Sequence, residues 1–306
     1  MSGPVTDRDE PPIAADAAPA TGIEITAPKA SRVGSLTVRR MLPRRGRRTV
    51  GPWCFADVMG PVADPAAGGI GPHPHIGLQT VTWLLAGELL HRDSLGSEQP
   101  IHPGQLNLMT AGHGVAHAEE SRGSRSLHGV QLWIAQPEAT RHREPAFEHH
   151  ADLPGTTLTG CDVTVLVGEL AGARSPARCD TEHVAAELRL RGSADIPVSP
   201  TFEHAVLAVD SDLSVEGELV PAGHLAYVAP GHGSLALGAR EPAVVLLLGG
   251  VPFPDELVMW WNYVGRDRAE VSEAHAAWTA RDSRFGTVTS SLDPIDVGPP
   301  PWSPGR

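Results

Sequence analysis

The chain alternates short apolar runs with turn-forming residues, at the period of strands rather than helices. Residues 78–86, LQTVTWLLA, read as one apolar strand, and Ala86-Gly87-Glu88 turns the chain into Leu89–Asp93. Pro103-Gly104 opens another turn, after which Leu106 and Leu108 alternate with Gln105 and Asn107. In HGVQLWIA, Val130, Leu132 and Ile134 share one face. Ordered structure begins upstream, in VGSLTVRRMLP and in GPWCFADVMGP at 51–61. Short strands roughly 10–15 residues apart predict a sandwich or barrel, whereas a Rossmann sheet needs helices between its strands.

A polar stretch with chain breakers, residues 137–155, separates this series from a second one. The second runs through DVTVLVGEL, EHVAAELRLR, HAVLAVD, LSVEGELV, HLAYVAP, SLALG and AVVLLLGG. The architecture repeats without a residue-by-residue repeat, so the chain is read as all-β, two related barrels packed together. One late stretch, VGRDRAEVSEAHAAWTA, has helical composition, with Asp267 as cap and Glu270 in capping-box register. The expected domains are 29–145 and 146–265, with a flexible tail at 1–28 and a helix plus flexible tail at 266–306.

Composition narrows the class. The 306 residues and 32.3 kDa suffice for one large domain or two ordinary ones. The 33 glycines and 29 prolines exceed the usual share of about 12% and fit a turn-rich protein. A net charge of −12 repels a phosphate backbone, so direct nucleic-acid binding is not expected. The basic run Arg39, Arg40, Arg44, Arg45, Arg47, Arg48 is a local exception: a salt-bridged surface or an anion site. Cys54, Cys161 and Cys179 are far apart and form no CxxC pair, which fits a reducing compartment. The N-terminal MSGPVTDRDEPP has no basic region followed by an apolar core, and AVVLLLGGVPFP is too short to span a bilayer. A cytoplasmic protein without membrane contact is expected.

The sharpest chemistry lies in GPHPHIGLQT. His73 and His75 are two residues apart, and on extended backbone their side chains project to one side. Two such imidazoles chelate a borderline metal such as Fe²⁺, Ni²⁺ or Zn²⁺, or are simply loop histidines. TAGHGVAHAEES repeats the spacing with His117 and Glu119, one nitrogen and one oxygen donor. Gly112 and Gly114 argue against a helix that would pair His113 with His117. Two extended pairs joined by strands can meet inside a small barrel.

HPHIGLQTVTWLLAGELLHRDSLG, PGQLNLMTAGHGVAHAE and HGVQLWI together resemble pirin and its bacterial relatives in the cupin superfamily. The resemblance runs over about residues 30–265. LLLGGVPFPDELVMWWNYVGR looks like the closing segment of bacterial pirin-like proteins, where the chain returns toward the first domain. The resemblance implies a bicupin: two tandem cupin-type barrels with a short C-terminal helix, the first holding one mononuclear metal. It places the ligands on His73, His75, His117 and Glu119. Iron(II) is the expected ion, with Mn, Co, Ni or Zn also compatible with such a donor set. Where the family usually has a Glu four residues after the second histidine, this chain has Gln79, and His113 replaces an arginine of pirin. Gln79 retains an amide able to orient a ligand but not a carboxylate base. His183, His204 and His224 are isolated in the second barrel and are read as structural. Trp83, Met109, Gln131 and Trp133, near the motif, are read as core before pocket.

The resemblance further implies a quercetinase-type dioxygenase, opening a small aromatic flavonol with O₂ and releasing carbon monoxide. Glu119 is its catalytic residue, handling the proton. The rival class is an iron-dependent regulatory protein that contacts a protein partner without turnover. Two fused barrels are expected to suffice as a monomer.

Overall fold

The structure is a computed structural model, and it describes residues 22–33, 36–62, 69–121 and 126–303. The first strand, β1 (Ile23–Thr26), precedes β2 (Lys29–Val33), β3 (Leu36–Leu42) and β4 (Trp53–Val62). Then come β5 (Gly69–His75), β6 (Leu78–Ala86), β7 (Leu89–Asp93) and β8 (Glu98–Ile101). The first half closes with β9 (Leu106–Thr110), β10 (Val115–Ser121), β11 (Leu127–Ala135) and β12 (Ala146–His150). A seven-stranded sheet, β12-β9-β6-β11-β4-β3-β2, accompanies a four-stranded sheet, β5-β10-β7-β8.

The second half repeats this plan. Its strands are β13 (Gly155–Leu158), β14 (Cys161–Val167) and the short pair β15 (Glu169–Leu170) and β16 (Ala173–Arg174). They continue as β17 (His183–Leu190), β18 (Ser193–Pro197), β19 (Glu203–Ala208) and β20 (Leu213–Val215). The last four are β21 (Glu218–Val220), β22 (Leu225–Val228), β23 (Ser234–Gly238) and β24 (Ala243–Gly250). The sheets run β1-β22-β19-β24-β17-β14-β13 and β18-β23-β20-β21, so each strand has a counterpart in the first half. The all-β bicupin architecture expected from the sequence is the one observed.

The N-terminal reading is corrected at one point. Residues 1–21 lie outside the described residues, but Ile23–Thr26, assigned to a flexible tail, pair with Leu225–Val228 and complete the second barrel's sheet. Backbone pairing of an edge strand, with Ile23 buried in the barrel core, outweighs the polar composition around it.

The strand alternation has an unexpected meaning. Val58, Val81, Trp83, Leu108, Val130, Leu132 and Ile134, on the apolar face of the first large sheet, pack against Ala185, Leu207, Leu246 and Leu248 of the second. Their face is the seam between barrels. Trp53 Nε1 donates to Gly249 O at 3.0 Å and Trp83 Nε1 to Glu187 Oε2 at 2.7 Å, so both buried indoles are satisfied across the seam. Truncating a buried Trp typically costs about 3–5 kcal/mol, which makes these two the main pins of the interface.

The opposite face is polar but not solvated. Arg40, Asp57, Gln131, Thr82, Asn107 and His149 are successive cross-strand neighbours on β3, β4, β11, β6, β9 and β12. Four of them, Arg40, Asp57, Thr82 and Asn107, are buried, and the row crosses the interior of the first barrel. The second barrel fills the corresponding space with Val163, Val184, Ala186, Val206, Val245 and Leu247.

After the second barrel, β25 (Val258–Trp260), β26 (Tyr263–Gly265) and the helix α1 (Arg268–Thr279) return to the first. Asp267 caps α1, accepting from Glu270 N at 2.9 Å, while Glu270 reaches back to Arg266 N at 2.8 Å. Beyond it the described residues form no regular element except a 3-10 turn at Ser283–Phe285. Read from its prolines as a flexible tail, this segment instead packs: Val288, Ile295, Val297 and Trp302 lie against Ile76, Trp260, Tyr263 and Trp278. Gly71 is required beneath it, because a Cβ there would stand 2.1 Å from Asp293 O.

The basic run is largely consumed within the molecule. Arg40 pairs with Asp57, Arg47 pairs with Glu24 and lies over the Tyr227 ring, and Arg39 donates to Val209 O. These contacts favour the salt-bridged reading over an anion site. Among the described residues no helix is long and apolar enough to cross a membrane.

Cys54 and Cys161 are buried and Cys179 is exposed. Burial pushes the Cys54 thiol up to about 12 and the Cys161 thiol up to about 11, and it raises the Cys179 thiol as well. Access then decides: Cys179, the exposed one, is expected to react with a thiol-directed dye in the native protein, and all three after denaturation. Mass mapping of the labelled sites checks this; fast native labelling of Cys54 would contradict the packing.

Candidate metal centre

β5 is extended through Gly71–His75, so His73 and His75 project to one side, with Pro74 between them facing away. β10 runs antiparallel beside it, and His117 sits directly opposite His73. A register shift after His117 places Glu119 opposite Ile70 on that side and opposite His91 of β7 on the other. Such a bulge re-aims a side chain without breaking the sheet. All four residues are buried.

The three imidazoles converge. One ring nitrogen from each lies within 4.8 Å of the others, and His75 Nε2 stands 3.0 Å from His117 Nε2. Each ring's other nitrogen is engaged: His73 Nδ1 with Gly71 O at 2.8 Å, and His75 Nδ1 with Asn262 O at 3.0 Å. His117 Nδ1 faces His91 Nδ1 at 3.4 Å, and His91 Nε2 in turn meets Asp93 Oδ2 at 3.1 Å. Carbonyls only accept, so His73 and His75 carry their protons on Nδ1 and turn bare Nε2 lone pairs inward. Three buried imidazole nitrogens converging in this way, two of them with bare lone pairs, form a donor set that fits a metal ion.

Electrostatics agree. Burial, opposed in part by the Gly71 carbonyl, pulls His73 down to about 4. Burial and then the neighbouring imidazoles hold His75 and His117 well below the ordinary histidine value. The rings are thus neutral and ligand-competent near neutral pH. Burial raises the Glu119 carboxyl, against the pull of His91 and a hydrogen bond from Thr82. Glu119 Oε1 lies 3.1 Å from Thr82 Oγ, which also stands 3.0 Å from Gln131 Oε1.

The histidines and Glu119 open on one cavity of about 50 Å³. Phe55 and Trp133, stacked with centroids 4.0 Å apart, form part of its wall. Asp57 also reaches it, its carboxylate held in two hydrogen bonds by Arg40 at 2.9 and 2.7 Å. Trp261, Asn262 and Ile295, all from the returning C-terminal segment, line it as well.

Residues 35–134 match the Pirin family, and residues 183–286 match the Pirin C-terminal cupin domain. A Pseudomonas aeruginosa protein provisionally named a quercetin 2,3-dioxygenase is 46% identical over 284 residues, covering 91% of this chain and 90% of its own. The chain belongs to the pirin family. A pirin-like protein of Caulobacter vibrioides is 36% identical, covering 81% of this chain and 90% of its own. The crystal structure of a quercetin 2,3-dioxygenase from Acinetobacter baumannii superposes with a TM-score of 0.88 at 38% identity, covering 92% of this chain and 96% of that one.

Within this pirin framework Gln79 has a different place from the one expected. It shares the face of Val81 and Trp83, donates to Thr110 Oγ at 2.9 Å and does not line the cavity. The turn at Gly77 separates β5 from β6, so the alternation that aligns His73 with His75 does not extend to Gln79. Its amide is therefore not placed to orient a ligand in the cavity. His113 bonds the Arg143 carbonyl away from the site. Of the four residues near the motif, Gln131 and Trp133 line the cavity, Met109 packs in the core, and Trp83 faces the other barrel.

His91, Asp93, Thr82, Asp57, Asn262 and Ile295 were not singled out from the sequence. A signal existed for two: His91-x-Asp93 repeats the i, i+2 spacing of the other two pairs. In the second barrel, β18 and β23 occupy the places of β5 and β10, and they put Ala194, Ile196, Leu235 and Leu237 in its core.

Proposed function

We propose that this pirin is a mononuclear metal-dependent dioxygenase acting on flavonol-type substrates. The observation that carries the reading is the convergence of three buried imidazoles on one cavity, which Glu119, outside that cluster of three, also lines. His73, His75 and His117 would hold the ion, with Glu119 as fourth donor. A bound divalent ion, iron(II) by preference, supplies Lewis acidity and one-electron chemistry toward O₂.

The chain's own groups have distinct tasks. Glu119, held by Thr82, takes the proton of the substrate hydroxyl, and its burial favours the protonated product of that step. Gln131 Nε2 has no hydrogen-bond partner among the described residues, and the residue lines the cavity, so its amide is available to a substrate oxygen. Trp133 and Phe55 offer a flat apolar wall to an aromatic ring. At about 50 Å³ the cavity is too small for a whole flavonol, so binding requires lining side chains to move. The names of the Pseudomonas relative at 46% identity and the Acinetobacter structure at 38% identity support the same chemistry.

The test is stoichiometry. Anaerobically iron-loaded protein is expected to hold about one metal per chain and, with quercetin in air, to consume O₂ and release CO in equal amounts. Full metal occupancy without O₂ uptake or CO would sink the enzymatic reading and leave the regulatory one.

A further inference from the structure

His117 is oriented differently from the other two histidines. Backbone carbonyls fix His73 and His75, and no side-chain substitution removes these acceptors. His117 instead meets a second imidazole, which meets a carboxylate. Asp93 Oδ1 accepts from Leu95 N and Ser97 N, both at 2.9 Å, which leaves Oδ2 to accept from His91 Nε2. His91 therefore carries its proton on Nε2 and a lone pair on Nδ1. That lone pair can only accept from His117 Nδ1, and so His117 Nε2 is left bare toward His75.

His91 and Asp93 are both buried, and His91 is stacked on Phe147 at 4.3 Å and 10°. Against its burial, the hydrogen bonds of His91 and Ser97 hold the Asp93 carboxyl below the usual carboxylate range, so Oδ2 stands as an acceptor toward His91.

We propose that His91 and Asp93 are positioning residues, a tautomer relay that presents His117 to the metal and sets how tightly the ion is held. The inference rests on the metal reading of the site. Asp93→Asn tests it sharply. Its Oδ1 still accepts from Leu95 N and Ser97 N, but its amide N–H now faces His91 Nε2. His91 must then carry its proton on Nδ1, against the Nδ1 proton of His117. His117 either loses this partner or turns a proton toward the metal position.

Cobalt(II) serves as the probe, with affinity read by chelator competition and ligand geometry by its visible absorption. Asp93→Asn is expected to lower affinity about 10–100-fold, the usual range for losing such an outer partner, and to shift the cobalt band. His91→Phe keeps the stack on Phe147 but removes both nitrogens, and is expected to lose a comparable amount. The double variant is expected to bind no more weakly than His91→Phe alone, because Asp93 acts only through His91. Unchanged affinity in both single variants, or losses that multiply in the double variant, would overturn the relay while leaving the metal site standing. A native chain that binds no cobalt or iron would overturn both.

Discussion

His75→Ala is expected to leave a folded protein that holds no metal and shows only background O₂ uptake with quercetin. The imidazole is one of only three in the cluster, its Nε2 3.0 Å from His117 Nε2, so its loss removes a donor that no other member of the cluster replaces. The substitution also removes the hydrogen bond from His75 Nδ1 to Asn262 O. Loss of a buried hydrogen bond costs about 1–3 kcal/mol, so urea unfolding of the metal-free variant is expected to show a loss of about that size. Elemental analysis and oxygen-electrode traces on native and variant protein, side by side, check the rest. Native-like metal content in the variant would mean that the ion sits elsewhere, and the assigned ligands would have to be abandoned.

Glu119→Gln separates two roles that the carboxylate combines. The amide keeps the shape and still accepts from Thr82 through its oxygen, so packing is preserved. It cannot take a proton. Loss of a general base typically lowers turnover about 10²–10⁴-fold, and this is the range expected for kcat with quercetin. Metal content is expected to fall less than in His75→Ala, because three imidazoles remain. Turnover within a few-fold of native would remove Glu119 from the proposed proton transfer. Loss of all metal would instead make it an indispensable ligand whose catalytic part must be tested with a prebound ion.

Two-residue spacing carried most of the site. On extended backbone it puts both members of a pair on one side, and no distant contact is needed to know this. His73, His75, His117 and Glu119 were legible for that reason, and His91 with Asp93 were equally legible though passed over. Gln79 shows the limit of the same rule. It is valid within a strand, and Gly77 ends the strand before Gln79 is reached.

The alternation in β6, β9 and β11 told which residues share a face, but not what each face meets. Val130 and Leu132 turned out to meet the second barrel, while Gln131 and Trp133 line the cavity. A period of two is the same whether the polar side faces water or an enclosed site, so only the packing of the two barrels could choose.

Local pattern therefore settled that the chain is all-β and doubled and that its late helix starts at Asp267, and it singled out the short pairs that the resemblance to pirin then named as the expected metal donors. Each rests on residues within one turn or strand of one another. Long-range packing decided the rest. Ile23–Thr26 complete a sheet whose other strands lie beyond residue 154, and Asn262 supplies the carbonyl that orients His75 from 187 positions away. Ile295 donates its N–H to Pro72 O at 2.8 Å and roofs the cavity from a stretch whose prolines read as unstructured. Composition reports what a segment cannot do alone, and these segments are ordered by surfaces that exist only once both barrels have formed.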